Sequence, residues 1–250
     1  MKAKRRTTAI VSLFFLFVGV NSKAQFYKDI SIGGNAGAYI YQGDLTPEPL
    51  GSFRTVQPGF SLFAKKPINH FLAVRLHMSF ARLKGDDSRY SKPEYRQQRN
   101  FYFTTPVKEF SGQLVWNIRG RNYDDYGIQP YIFSGAGVSF VSIRKDYGRM
   151  DPGVFGESSE VLAGLAADNA AGTARTLLSV PVGVGAEYPL SQRFSVNIET
   201  AYRFVFTDYL DGFSKSANPK LNDHYHSTSA GLIYKFGKRG KDIGCPVVKL

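Results

Sequence analysis

The sequence predicts an all-β fold: an eight-stranded antiparallel transmembrane β-barrel with long extracellular loops and short periplasmic turns. Three features carry that prediction. The chain opens with an export leader, eight later segments alternate apolar residues with polar ones or glycine, and their connections are alternately long and short. Composition points the same way. With 43% hydrophobic, 21% charged and 14% aromatic residues, neither a disordered chain nor a polytopic helical membrane protein fits. The 20 Phe, 15 Tyr and 25 Gly suit strands joined by tight turns. The single cysteine, Cys245, rules out an intramolecular disulfide and a thiolate zinc site.

Residues 1–24 read as a secretory signal peptide. Lys2, Lys4, Arg5 and Arg6 form a basic start, Ala9 to Val20 is an apolar run of twelve, and Ser22-Lys23-Ala24 puts small residues where a signal peptidase cuts. Such a run is too short to span a bilayer as a helix, which needs about 20 residues. Removing the leader takes five basic residues and no acidic ones, so the formal charge falls from +12 to +7, with 27 Lys and Arg against 20 Asp and Glu. Export removes nucleic acid as a partner. The remaining chain divides into a barrel over residues 25–236 and a basic periplasmic tail over residues 237–250.

The eight strands follow from a period of two, since successive side chains on a strand face opposite sides. In the first, Ile32, Ala36, Ala38 and Ile40 alternate with Ser31, Gly33, Asn35 and Tyr39. The second sets Phe60, Leu62 and Ala64 against Gly59 and Ser61, and the third sets Val74, Leu76, Met78 and Phe80 against Arg75, His77 and Ser79. The fourth has Phe110, Leu114 and Trp116 against Glu109, Ser111 and Gln113; the fifth has Ile132, Ala136, Val138 and Phe140 against Gly135, Gly137 and Ser139. The sixth places Leu178, Val180, Val182 and Val184 opposite Ser179, Gly183 and Glu187. The seventh places Val196, Ile198 and Phe204 opposite Ser195, Asn197, Glu199 and Arg203, and the eighth Ala230, Leu232 and Tyr234 opposite Ser227, Ser229 and Lys235. Each run reaches the roughly ten residues of a tilted membrane strand, about twice the length usual in a soluble sandwich.

The connections discriminate further. Residues 42–54, 84–98, 142–175 and 207–223 are the long ones, and residues 65–70, 119–129 and 189–192 the shorter, as outer loops and periplasmic turns would be. An eight-stranded barrel has room inside only for side chains, so there is no aqueous channel. The inward charges Arg75, Glu109, Glu187, Glu199 and Arg203 then form a lumen ion-pair network, because unpaired charges there are costly to desolvate. Glu199 and Arg203 lie about 13 Å apart on one strand and should find partners on neighbouring strands, with Glu187 and Arg75 as candidates.

The run Glu199-Thr200-Ala201-Tyr202-Arg203-Phe204-Val205-Phe206, continuing as Thr207-Asp208-Tyr209-Leu210-Asp211, resembles the PorG-like outer-membrane barrels of the type IX secretion system and their relatives. Tyr41-Gln42-Gly43-Asp44-Leu45, Arg99-Asn100-Phe101, Pro130-Tyr131-Ile132-Phe133 and Cys245-Pro246 also match, so the resemblance spans the mature chain. Gly212-Phe213 departs from it, where many relatives have Asp-Val. The resemblance implies a barrel in the outer membrane of a Gram-negative bacterium, attached to periplasmic secretion proteins. The Asp208 and Asp211 pair caps a loop by accepting backbone N–H groups, or binds a divalent cation with Asp44.

Catalysis finds little support. A lipid hydrolase would use a His–Ser pair near the outer rim, but the adjacent His226 and Ser227 point to opposite faces of a strand, and His224 with His226 lacks a third metal ligand. His77 faces the lumen as a hydrogen-bonded filler. The expected protein is a monomeric barrel surrounded by outer-membrane lipid, with no catalytic, cofactor or metal site, docking a type IX-like secretion machine. Its docking patch is Lys65 and Lys66 in the first turn, Arg119 and Arg121 in the second, and Lys238, Arg239 and Lys241 in the tail, with Arg193 and Lys235 beside them. The alternative is a surface-facing adhesin or ligand-binding barrel acting through its extracellular loops.

Overall fold

In the computed structural model the described residues are 29–156, 159–172, 175–207, 209–217 and 223–236. The leader over residues 1–24 and the tail over residues 237–250 lie outside them.

Eight long strands form one antiparallel sheet that closes on itself. They are β1 (Ser31–Gln42), β2 (Gln57–Pro67), β3 (Leu72–Asp86), β4 (Tyr102–Asn117), β5 (Gln129–Val141), β7 (Thr176–Pro189), β8 (Phe194–Val205) and β9 (His224–Lys235). Neighbours in the chain are neighbours in the sheet. The ring is completed by β1 on β9, with Ala36 opposite Ala230, and every backbone edge is thereby paired. A short strand, β6 (Arg144–Asp146), lies in the longest loop and extends the sheet beyond β5 by pairing with Tyr102–Thr104 of β4.

The alternation read in the sequence sets the two faces. Along β4 every odd-numbered residue from Phe103 to Asn117 is buried and the even ones are not. Across the whole barrel the exterior is apolar: Leu76 is 72% exposed, Leu178 68% and Leu232 60%. The interior is polar and charged. Such inversion of a water-soluble core is the arrangement of a barrel in hydrocarbon. Small and large residues interlock inside it; a Cβ on Gly185 would strike the Tyr131 ring, and one on Gly33 the Phe63 ring.

Short turns join one end of the strands and long loops the other. Asn69 Oδ1 accepts from the backbone N–H of Phe71 and of Leu72, both at 2.8 Å, and reverses the chain between β2 and β3. Asn117 Oδ1 and Ser191 Oγ make the same kind of turn before β5 and β8. The long loops carry three helices, α1 (Tyr95–Arg99), α2 (Pro152–Phe155) and α3 (Glu160–Ala171). Ser159 Oγ caps α3 by accepting from the Val161 N–H at 3.1 Å.

Candidate functional site: a lumen filled with charge pairs under a loop cap

The lumen is occupied in tiers. Nearest the turn end, Glu187 on β7 receives two ammonium groups, Lys65 Nζ at 2.5 Å and Lys235 Nζ at 2.9 Å. Midway, Arg75 on β3 pairs with Glu199 on β8 and donates through Nε to Gln113 at 2.7 Å. Glu199 also accepts from Tyr131 Oη at 2.8 Å and Asn35 Nδ2 at 3.2 Å, while the Arg75 guanidinium stands 4.2 Å from the Phe133 ring centre. Above it, Arg203 on β8 pairs with Glu109 on β4 at 3.1 Å. Glu109 accepts from Tyr225 Oη at 2.9 Å, and Arg203 donates to Ser227 Oγ at 2.8 Å.

These contacts place the sequence-derived charges and correct several of them. All five face inward, and Glu199 and Arg203 do not pair with each other. Their partners are not on neighbouring strands, though. Around the ring β3 stands four places from β8 and β4 stands three, so both pairs cross the lumen. Glu187 is not the partner of either. Lys65 and Lys235 are corrected out of the docking patch, because the ladder continues past Lys65, opposite Ser31 and Arg75, and turns its side chain into the barrel. Lys66 takes the outward side of β2 and is half-exposed. Arg119 is exposed and donates to the Ile128 carbonyl at 3.2 Å. Arg121 lies 3.8 Å from Asp124 and against the Tyr126 ring. Lys238, Arg239 and Lys241 lie outside the described residues.

His77 faces inward and stacks parallel to Phe63, and its Nδ1 has no hydrogen-bond partner among the described residues. His226 and Ser227 are indeed divided between faces. A ring nitrogen of His226 lies 2.7 Å from the Leu50 carbonyl oxygen, and Ser227 belongs to the Arg203 cluster.

The loop end is closed by a cap that sequence periodicity did not reveal. Leu45, Phe101, Leu210 and Phe213 from three of the long loops, and Leu83 and Phe103 from the loop-end parts of β3 and β4, are fully buried together, and Leu165 of α3 joins them from the longest loop. Phe101 stacks on Phe213 at 4.3 Å. Buried carboxylates tie the loops. Asp87 receives Arg96 at 3.0 Å and Arg99 at 2.7 Å, a charge that pushes the Arg99 guanidinium pKa above its ordinary value against the opposing effect of burial. Asp168 on α3 accepts from the backbone N–H groups of Lys215 and Ser216 at 2.8 and 2.9 Å. Burial lowers the pKa of Lys145, which donates to the Asp168 and Gly212 carbonyls.

The family-motif loop is part of this cap. Leu210 is buried, its carbonyl accepting from Thr105 Oγ1 at 2.8 Å, and Thr207 Oγ1 accepts from the Tyr209 N–H at 3.2 Å. Asp211 Oδ1 accepts from the Phe213 N–H at 2.8 Å, and Tyr41 Oη reaches both Asp211 at 2.7 Å and Asp223 at 2.6 Å. Asp211 therefore serves as a backbone acceptor, the first of the two uses the sequence left open. Asp208 lies outside the described residues.

A family model described as a domain of unknown function, DUF6089, matches residues 7–241. No curated protein gives a match. Among solved structures, the attachment invasion locus protein Ail of Yersinia pestis, in complex with the heparin analogue sucrose octasulfate, is 14% identical. That likeness covers 84% of this chain and 99% of that one, with a TM-score of 0.46. Neisserial surface protein A is 16% identical over 83% of this chain and 97% of that one, also at 0.46. A major outer membrane protein from Thermus thermophilus is 14% identical over 83% and 99%, again at 0.46.

Proposed function

The chain belongs to the DUF6089 family, and we propose that this member is a non-catalytic barrel of the bacterial outer membrane that anchors a protein-secretion machine of the type IX kind. The observation that carries the reading is the lumen. Three tiers of crossed charge pairs lie beneath a hydrophobic cap, which supports a barrel that serves as neither a pore nor a reaction chamber. A solid cylinder with an apolar exterior is suited to holding other proteins at a membrane. The leader supports export, and the long-loop end faces outward in the orientation a processed N-terminus would give.

Docking at the periplasmic face is supported by the exposed Arg119 and Arg193, the half-exposed Lys66, and the basic tail over residues 237–250. The resemblance around Arg203 and Thr207 to Asp211 supports the secretion role. Affinity capture of the full chain and of a variant lacking residues 237–250 tests it. The variant should insert normally but release co-purifying periplasmic proteins, and secretion should fall. Unchanged capture and unchanged secretion would remove the tail from docking. The adhesin reading has one observation in its favour: Leu50 and Phe53, 71% and 78% exposed, project from the first loop.

A further inference from the structure

The outward positions of the eight long strands hold only five charged residues: Lys66 at the turn end and Arg82, Lys84, Asp86 and Lys108 towards the loop end. Four of the five thus fall on one stretch of β3 and β4. Lys84 is neutralised by Asp86, 3.3 Å away. Arg82 and Lys108 are not. Neither forms an ion pair with a described residue, although Arg82 stands opposite Pro106 and Lys108 opposite Phe80. That register makes the two cations diagonal neighbours on one face, about 7–8 Å apart at the backbone and within common reach of one small anion.

They also frame a concavity. A groove of about 460 Å³ runs over the outer wall between them, with Pro58, Phe60, Phe80 and Pro106 on its sides. Phe60 and Phe80 stack at 4.9 Å with their rings 19° apart, and since Phe60 stands opposite Phe80 and Phe80 opposite Lys108, they make a flat apolar strip running sideways from the cations across β3 and β2. The level is informative. Lys108 lies opposite Phe140 on its other flank, a half-exposed aromatic at the upper edge of the apolar belt, where headgroups replace hydrocarbon. A cation at the midplane of such a wall is costly, and one at the interface is nearly free. An unpaired Arg–Lys couple at that height fits a phosphate, which the guanidinium fork can grip with two hydrogen bonds.

We infer that this groove binds a phosphorylated glycolipid of the outer leaflet, its sugar phosphate held by Arg82 and Lys108 and an acyl chain lying along Phe60 and Phe80. The inference rests on the outer-membrane reading, since only that places an anionic glycolipid at this rim. It goes beyond general attraction of basic rims to anionic membranes, because it requires a lipid with a sugar-borne phosphate at one groove on one side of the barrel.

Native mass spectrometry of the full chain in detergent tests it, with bisphosphorylated lipid A, dephosphorylated lipid A and phosphatidylglycerol as probes. Insertion is checked separately by the mobility shift of unboiled samples. The wild type should retain bisphosphorylated lipid A in preference to both other lipids. R82Q/K108Q should lose that retention by about thirtyfold, the scale of two cation–anion contacts at a membrane surface. K66Q, at the far rim, should retain it fully, and K108Q alone should fall between. Equal retention by wild type and the double variant would overturn the site, and equal retention of phosphatidylglycerol would overturn the glycolipid. If R82Q/K108Q fails to insert, K108Q decides, full retention again overturning the site. A wild-type chain that never inserts would bring down the outer-membrane reading first and this site with it.

Discussion

Glu109 and Arg203 are almost wholly shielded from water, on strands that do not touch within the sheet, so each is the other's only charged partner within bonding distance among the described residues. Removing the cation alone strands a carboxylate where solvation is poor. Arg203→Ala should therefore destabilise by about 3–5 kcal/mol in urea unfolding, and a change under about 1 kcal/mol would show a wet lumen. Replacing both, as in Arg203→Met with Glu109→Leu, should recover much of the loss, because the uncompensated charge disappears. Sequence parity identified which charges face inward, since a period of two leaves no other side for Arg75, Glu109, Glu187, Glu199 and Arg203. It named no partners. Parity fixes a face but not the point across the lumen that a side chain reaches, which depends on strand tilt and stagger. Lys65 escaped for a related reason: it sits where a strand and a turn look alike in sequence, and the ladder runs on through it, whereas Lys235 shared the inward parity of Ser227 and Ser229 but was grouped with the basic residues at the turn end.

At the scale of elements, all eight strands were legible and the cap was not. Strands repeat a rule, and residues such as Leu76 and Leu178 obey it over a dozen positions. Leu45, Phe101, Leu210 and Phe213 obey no period, being isolated apolar residues in otherwise polar loops that meet only after the barrel has closed. The third loop also hid β6 and α3, whose Ala-rich sequence carries no amphipathic stripe but whose Asp168 and Leu165 hold it down. The Phe101–Phe213 stack is the centre of this assembly. Phe213→Ala should cost about 3–5 kcal/mol in cap stability, as large aromatic truncations in a packed core do. Limited trypsin digestion reads that cost locally: cleavage after Arg149 and Lys215 should accelerate while the barrel fragment persists. Loops cut no faster than in the wild type would mean that the cap is held by its ion pairs rather than by its rings.

For the whole molecule, the two surfaces are exchanged relative to a soluble protein, with large apolar side chains outside and a charged interior. Each surface has one consequence. The exterior commits the chain to lipid, and its sparse charges mark a rim where headgroups begin. On the proposed reading the interior closes the barrel to solutes, since three tiers of charge pairs occupy the lumen and the loop end carries a core of its own. An anchor needs both, whereas a porin needs the second to fail. Current across planar lipid bilayers measures this most directly, using refolded protein whose insertion is established by a mobility shift on boiling. A filled barrel predicts no stepwise current above that of the bare bilayer at any applied voltage the membrane survives. Reproducible unitary conductance steps would contradict it and make the chain a channel.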